Sequence, residues 1–146
     1  MIISTKGRYG LRAMFELAKA WRKGPLSLRQ IAEEQGLPEP YLEQIFPALK
    51  KAGLVMARRG AGGGYELAAE PEKISVGSVL VALEGELMPS ECAGSDAACE
   101  KADSCTARLI WQRIHDGINS VINGITLQDM VNDYRRLDAP QEKEKR

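Results

Sequence analysis

Between Thr5 and Trp21 the apolar residues Leu11, Met14, Phe15, Ala18 and Trp21 recur at steps of three and four. That spacing lays one stripe along a helix, and Gly24-Pro25 stops it. Ser27 then stands where an N-cap belongs, with Gln30 three residues on to complete a capping box, and Gly36 ends the short helix it opens. After a turn holding Pro38 and Pro40, Leu42, Ile45, Phe46 and Leu49 mark one face of a further helix that stops at Gly53. Two short helices joined by a tight turn make a helix-turn-helix. Pro47 falls inside the second of them, where it deletes the bond to the Glu43 carbonyl and is expected to kink the helix.

Leu54–Arg58, the run Gly60-Ala61-Gly62-Gly63-Gly64 and then Tyr65-Glu66-Leu67 predict a β-hairpin, since glycine permits the positive φ angles of a tight reversal. A phosphate-binding loop is excluded, because no Lys-Ser/Thr follows the glycines. Helix-turn-helix plus hairpin is a winged helix, so the expected fold is mainly α with a small β-hairpin wing. Pro71 opens a connection to a short helix with Val76, Val79, Leu80 and Leu83 on one side, and residues 88–104 read as a loop. From Cys105 to Ile125 the positions Ile110, Ile114, Ile118, Val121, Ile122 and Ile125 form a long apolar seam, which needs a partner surface. A last helix from Leu127 to Leu137 shows Leu127, Met130, Val131 and Tyr134. The organisation expected is a winged-helix unit over 1–70, a connecting helix and cysteine loop over 71–104, a dimerisation helix and terminal helix over 105–137, and a disordered polar tail over 138–146.

Aromatic residues are 5% of the 146, so the core must be mainly aliphatic. No run approaches 18 uncharged apolar residues, and Met1-Ile2-Ile3-Ser4-Thr5-Lys6 lacks the apolar stretch of an export signal. A cytoplasmic protein without a membrane span is the expectation. The net charge of zero conceals a division: residues 1–65 carry 11 Lys+Arg against 5 Asp+Glu, and residues 66–146 carry 9 against 15. Such asymmetry suggests a polyanion-binding front and an acidic back.

In a winged helix the second helix of the motif enters the major groove with its N-terminal residues nearest the base edges. Here those are Glu39, Tyr41, Glu43 and Gln44, all off the apolar face. Gln44 can bond adenine through N6 and N7, and Glu43 can accept from cytosine N4 while repelling phosphate. Arg8, Ser27, Arg29, Lys50 and Lys51 are candidates for phosphate contact. Arg58, Arg59 and Gly62 form the tip of the wing, where arginine can enter a narrow A·T-rich minor groove. Two copies paired along Ile110, Ile114, Ile118, Val121 and Ile125 would set two winged helices about one DNA turn apart, matching a palindromic operator in double-stranded DNA. An enzyme is not expected: no paired carboxylates, nucleophile triad or cofactor fingerprint appears.

The three cysteines, Cys92, Cys99 and Cys105, all fall at the loop. In a reducing compartment they read as thiolates for metal or redox work rather than as a disulfide frame. Thiolates select iron–sulfur clusters, copper(I) or zinc, and this spacing lacks the close Cys pairs of a zinc knuckle. Cys105 is placed at the start of the long helix, where the amide dipoles favour thiolate.

Met1–Gly10, Tyr41-Leu42-Glu43-Gln44-Ile45-Phe46, Lys51–Val55, Arg59-Gly60-Ala61-Gly62-Gly63-Gly64-Tyr65 and Asn123–Leu127 together resemble one family of bacterial winged-helix regulators. It includes the iron–sulfur cluster regulator IscR, the nitric-oxide sensor NsrR and the cysteine-metabolism repressor CymR. The likeness runs from Met1 to about Leu137, and the three-cysteine loop is most similar to that of IscR. The resemblance implies a homodimeric transcription regulator that senses iron–sulfur status through a [2Fe–2S] cluster on Cys92, Cys99 and Cys105 and controls genes for cluster biogenesis. It leaves two alternatives of the same fold, a [4Fe–4S] nitric-oxide sensor and a cluster-free regulator acting through a protein partner. Where IscR-type proteins commonly place a histidine three residues after the third cysteine, this chain has Arg108, which cannot ligate. The acidic ligand of the nitric-oxide sensors also fails, since Arg8 stands at that position. The only histidine, His115, is ten residues beyond Cys105, about 15 Å along a helix, too far to share a metal with it in one chain. The fourth ligand is left among Glu91, Ser95, Asp96, Glu100, Asp103, Ser104, a solvent molecule and a small thiol.

Overall fold

In the computed structural model, which describes residues 3–90 and 105–139, helix α1 (Thr5–Lys19) buries Gly7, Gly10, Ala13, Met14, Leu17 and Ala18 along one face. Small residues are required at its start. A Cβ on Gly10 would collide with Leu83 Cδ1, so α1 and the later helix bearing Leu83 approach more closely than any larger residue allows. Helix α2 (Leu28–Gln35) opens on the expected capping box: Ser27 Oγ accepts from the Gln30 amide at 3.1 Å, and Gln30 Oε1 accepts from the Ser27 amide at 2.8 Å. Helix α3 (Glu39–Lys51) buries Leu42, Ile45, Phe46 and Leu49 as its spacing predicts.

Helix α3 runs through Pro47 to Lys51 without a break. Pro47 and Glu43, whose carbonyl loses its amide partner to the proline ring, are both exposed residues.

Strands β1 (Val55–Arg58) and β2 (Gly64–Leu67) pair antiparallel, with Val55 opposite Leu67 and Arg58 opposite Gly64. A third short segment joins them, unforeseen in the sequence. Leu26 and Tyr65 exchange backbone bonds at 2.9 and 2.7 Å, tying the wing to the residue that precedes the α2 cap. Gly64 makes this approach possible: its φ is +150°, and a Cβ there would run into the Leu26 carbonyl. A 3₁₀ turn (Pro71–Lys73) then leads to α4 (Val76–Glu84), α5 (Thr106–Asn123) and α6 (Leu127–Asp138). Helix α6 ends one residue beyond Leu137, and the tail from residue 140 lies outside the described residues, as do 91–104 of the cysteine loop.

One core runs through the molecule. Met14, Ile31, Leu42, Phe46, Leu49, Val55 and Leu67 share it with Ile74, Val79, Leu83, Leu127 and Val131, so apolar contact continues across residue 70. A smaller cluster of Val76, Leu80 and Leu87 packs against Ile118, Ile122 and Met130 and seats α5 on α4. The α5–α6 turn is pinned to the start of α4 by backbone bonds from Val76 to Ile125 and from Leu127 to Ile74, at 2.7 and 2.9 Å.

Glu84, at the end of α4, caps α1. Its Oε1 accepts from the Ser4 hydroxyl, from the Ser4 amide at 3.0 Å and from the Gly7 amide at 2.9 Å, so two orphan donors at the N-terminus of α1 are satisfied from another helix. Burial pushes the Glu84 carboxyl up, but the bonds from Ser4 and Gly7 and the charge of Lys6 outweigh it and hold the group below its ordinary value. A depressed carboxylate stabilises the fold above its unfolded pKa, and that contribution disappears as pH falls through the folded value. Glu84→Gln is therefore expected to cost about 1 kcal/mol at pH 6–7, the usual worth of a cap. In urea melts of both proteins the deficit should be full above the ordinary carboxylate range and shrink as pH falls through the depressed folded value. A deficit constant from pH 7 to pH 3 would show that charge at Glu84 does nothing.

Candidate nucleic-acid interface and cysteine site

The outer face of α3 carries Glu43, Gln44, Pro47, Lys50 and Lys51, all exposed, with Glu39 half-buried at its start. No apolar side chain crowds this face, because Leu42, Ile45, Phe46 and Leu49 use up the opposite one. Tyr41 differs from its neighbours. It is half-buried, its ring edge-on to that of Tyr9 of α1 with centroids 5.4 Å apart. Its contribution to any interface is thus shared with α1.

Of the residues assigned to phosphate, Arg8 is exposed in the first turn of α1 and donates to Thr5 Oγ1 at 3.3 Å. Ser27 has its Oγ committed as the α2 cap, which leaves its hydroxyl proton to donate. Arg29, exposed on α2, pairs with Glu33 at 3.1 Å, a surface contact weak enough for DNA to displace. On the wing, Arg58 Nε lies 2.5 Å from Glu66 Oε1 across the hairpin, which neutralises part of its charge. Arg59 is exposed at the bend beside Gly60, Ala61 and Gly62, where the turn closes with a 3.0 Å bond from the Gly63 amide to the Gly60 carbonyl. The two arginines of the tip are therefore unequal: Arg58 is held along the strand and Arg59 projects.

Cys105 occupies the N-cap position of α5, one residue before the helix; it is half-exposed, in no disulfide and makes no cap hydrogen bond. A thiol there stands beside the open amide end of the helix and is not tied up as its cap. Cys92 and Cys99 lie outside the described residues, as do Glu91, Ser95, Asp96, Glu100, Asp103 and Ser104. Among the described residues no group of three or more His, Cys, Asp or Glu is placed to hold a metal ion. His115 is buried in its own chain, with Nε2 2.8 Å from Glu86 Oε1 and 3.2 Å from Asn119 Nδ2. It serves the α5 packing.

The seam of α5 divides. Ile118 and Ile122 turn inward onto Val76, Leu80 and Leu87. Ile110, Ile114, Val121 and Ile125 remain exposed, joined by Leu109 at 63% and Trp111, an apolar surface of the kind that marks interfaces. None of the described helices is long and apolar enough to cross a membrane.

Comparison with known proteins gives this arrangement its context. The family model described as Rrf2, iron-dependent transcriptional regulator, matches residues 3–133. The HTH-type transcriptional regulator CymR of Bacillus subtilis is 44% identical over 131 residues, covering 90% of either chain. The HTH-type transcriptional regulator IscR of Pectobacterium carotovorum is 38% identical over 139 residues, 95% of this chain and 84% of that one. Among solved structures, IscR of T. potens superposes with a TM-score of 0.79 at 42% identity over 97% of this chain and 93% of its own. CymR of B. subtilis superposes at 0.76 with 44% identity over 90% and 97%. These relatives are transcriptional regulators, not enzymes. With the winged helix, its open recognition face and a match over nearly its whole length, the chain belongs to the Rrf2 family of DNA-binding transcription regulators.

Proposed function

We propose that this regulator acts as a homodimer on a palindromic operator and reports iron–sulfur status through a [2Fe–2S] cluster on Cys92, Cys99 and Cys105, controlling genes for cluster biogenesis. The observation that carries the reading is the position of Cys105. An uncommitted thiol caps the same helix that carries the exposed residues Ile110, Ile114 and Val121, with Ile125 just beyond its end. A ligand held there acts on the end of α5, and α5 sets the distance between two recognition helices in a dimer. The donor set fits such a group, since cysteine sulfurs are the ligands iron–sulfur clusters take and Cys105 is in no disulfide and only half-buried. When bound, the cluster supplies a centre sensitive to oxidant and to iron supply. The residues do the rest: Cys105 anchors the loop to α5, Gln44 and Glu43 read base edges, Arg59 enters the minor groove, and Arg8, Ser27, Arg29, Lys50 and Lys51 hold the backbone.

A second reading is a cluster-free regulator that responds through a protein partner. It is favoured by the 44% identity to CymR and by Arg108 standing where a histidine ligand is expected. Purification without oxygen separates the two. The expected result is a brown protein with about two iron and two acid-labile sulfide per chain, and about four of each would transfer the reading to a [4Fe–4S] sensor. A colourless chain that stays so after reconstitution, yet binds DNA in fluorescence anisotropy, establishes the cluster-free reading instead.

A further inference from the structure

Tyr9, Arg12 and Glu16 follow one another on α1 at steps of three and four, one face of the helix, and all three reach the elements that carry the recognition helix. Arg12 is exposed, yet its guanidinium is committed: Nε donates to Gln35 Oε1 at 3.0 Å and Nη2 donates to the Gln35 backbone carbonyl. Gln35 is the last residue of α2, so this carbonyl is one of those a helix end leaves without an internal partner, and a cation is the favoured donor there. The Gln35 amide in turn donates to Glu16 Oε1 at 2.6 Å. Glu16 is buried, 4% exposed, and its charge is met at the same oxygen by Lys19 Nζ at 3.0 Å. The turn between α2 and α3 is thus gripped from behind by α1 at both the backbone and the side chain of Gln35.

The second grip falls on α3. The Arg12 guanidinium lies 5.7 Å from the Tyr9 ring centroid, and the Tyr9 ring stands edge-on to Tyr41 in the first turn of the recognition helix. Arg12 therefore connects both contacts, holding the end of α2 directly and the start of α3 through Tyr9.

We propose that Tyr9 and Arg12 are positioning residues for sequence reading: they fix the angle at which α3 meets the major groove and touch no base themselves. The proposal rests on the DNA-binding reading above and deepens it. Base readout depends on side chains meeting donors and acceptors within a few tenths of an ångström, whereas phosphate attraction tolerates a tilted helix. Loosening the brace should therefore remove discrimination and spare non-specific affinity.

The experiment selects duplexes from a randomised 30-base-pair pool with the full-length wild-type protein. It then measures anisotropy on the best duplex and on a scramble of equal composition. Arg12→Lys keeps the charge but loses the two-pronged grip, and Tyr9→Ala removes the ring. Both are expected to bind the selected duplex about tenfold more weakly and the scramble within twofold of wild type, with an unchanged salt slope. Tyr9→Phe, which keeps the ring, should retain wild-type discrimination. If Arg12 is instead a phosphate contact, Arg12→Lys will match wild type on both duplexes, and the proposal is overturned. An unchanged ratio of selected to scrambled affinity in Tyr9→Ala, whatever its melting temperature, overturns it as well. A wild-type protein that enriches no sequence defeats the DNA-binding reading itself, and the brace with it.

Discussion

The double variant Ile114→Asp/Val121→Asp is expected to be a monomer at 10 µM in light scattering and to lose at least 100-fold in affinity for its full palindromic duplex. The two positions lie seven residues apart on α5, one heptad, and both are open in the single chain. In the proposed dimer, isoleucine and valine there bring apolar surface to a partner helix at roughly 25 cal/mol per Å² buried. A carboxylate in their place would have to be desolvated or expelled, which costs several kcal/mol per buried, unpaired charge. The monomer should stay folded, because the inward residues of α5 are Ile118, Ile122 and His115, which the variant leaves intact. Affinity falls because a dimer delivers its second winged helix at a high effective concentration, an advantage of 10²–10⁴ that a monomer forfeits. Binding to a half-site duplex should be unchanged. A variant that remains dimeric would move the interface off α5.

Phe46→Ala is expected to destabilise the protein by about 3–5 kcal/mol, against a total of roughly 5–15 for a domain. Phe46 is fully buried on α3, and its ring meets Tyr65 of the wing at a centroid distance of 4.7 Å. The cavity would open between α3 and the wing, the two elements proposed to meet DNA, and β2 is held from falling inward because Tyr65 is also paired to Leu26 through its backbone. A chain of this size should lose about 10 °C or more in melting temperature, with the urea midpoint lowered and the m-value unchanged. A loss under 1 kcal/mol would mean that the recognition helix and wing do not share this contact.

What could be read without coordinates was local. The Ser27–Gln30 capping box, the Gly60–Gly64 reversal, the apolar face of α3 and the start of α5 at Cys105 each depend on residues within a few positions of one another, and each appears where its spacing predicts. Pro47 shows the reach of such reading: a proline inside the helix does not end it, and its exposed position is known only once the face of α3 that packs inward is placed. The bridge from Leu26 to Tyr65 spans 39 positions and the cap from Glu84 to Gly7 spans 77, and neither leaves any periodic trace. Glu43, Gln44, Lys50 and Arg59 are exposed as the apolar spacing implies, but neither the half-burial of Tyr41 nor the inequality of Arg58 and Arg59, which follows from the cross-strand Glu66, leaves a mark in the sequence. The part played by α1 was equally hidden, since Tyr9 and Arg12 look like ordinary surface positions until Tyr41 and Gln35 are placed beside them.

The Glu84 cap also bears on how the chain comes to be folded during synthesis. Translation proceeds N-terminus first at about 5–20 residues per second, so Gly7 is made several seconds before the carboxylate that receives its amide. Leu83, Leu127 and Val131, which complete the packing around α1, arrive with or after it. The DNA-reading half is thus polymerised first but acquires its finished core last, when α6 emerges. A nascent chain halted soon after the wing would lack Ile74, Val79, Leu83, Leu127 and Val131 of that core, and would be a substrate for chaperones before it could compete for an operator.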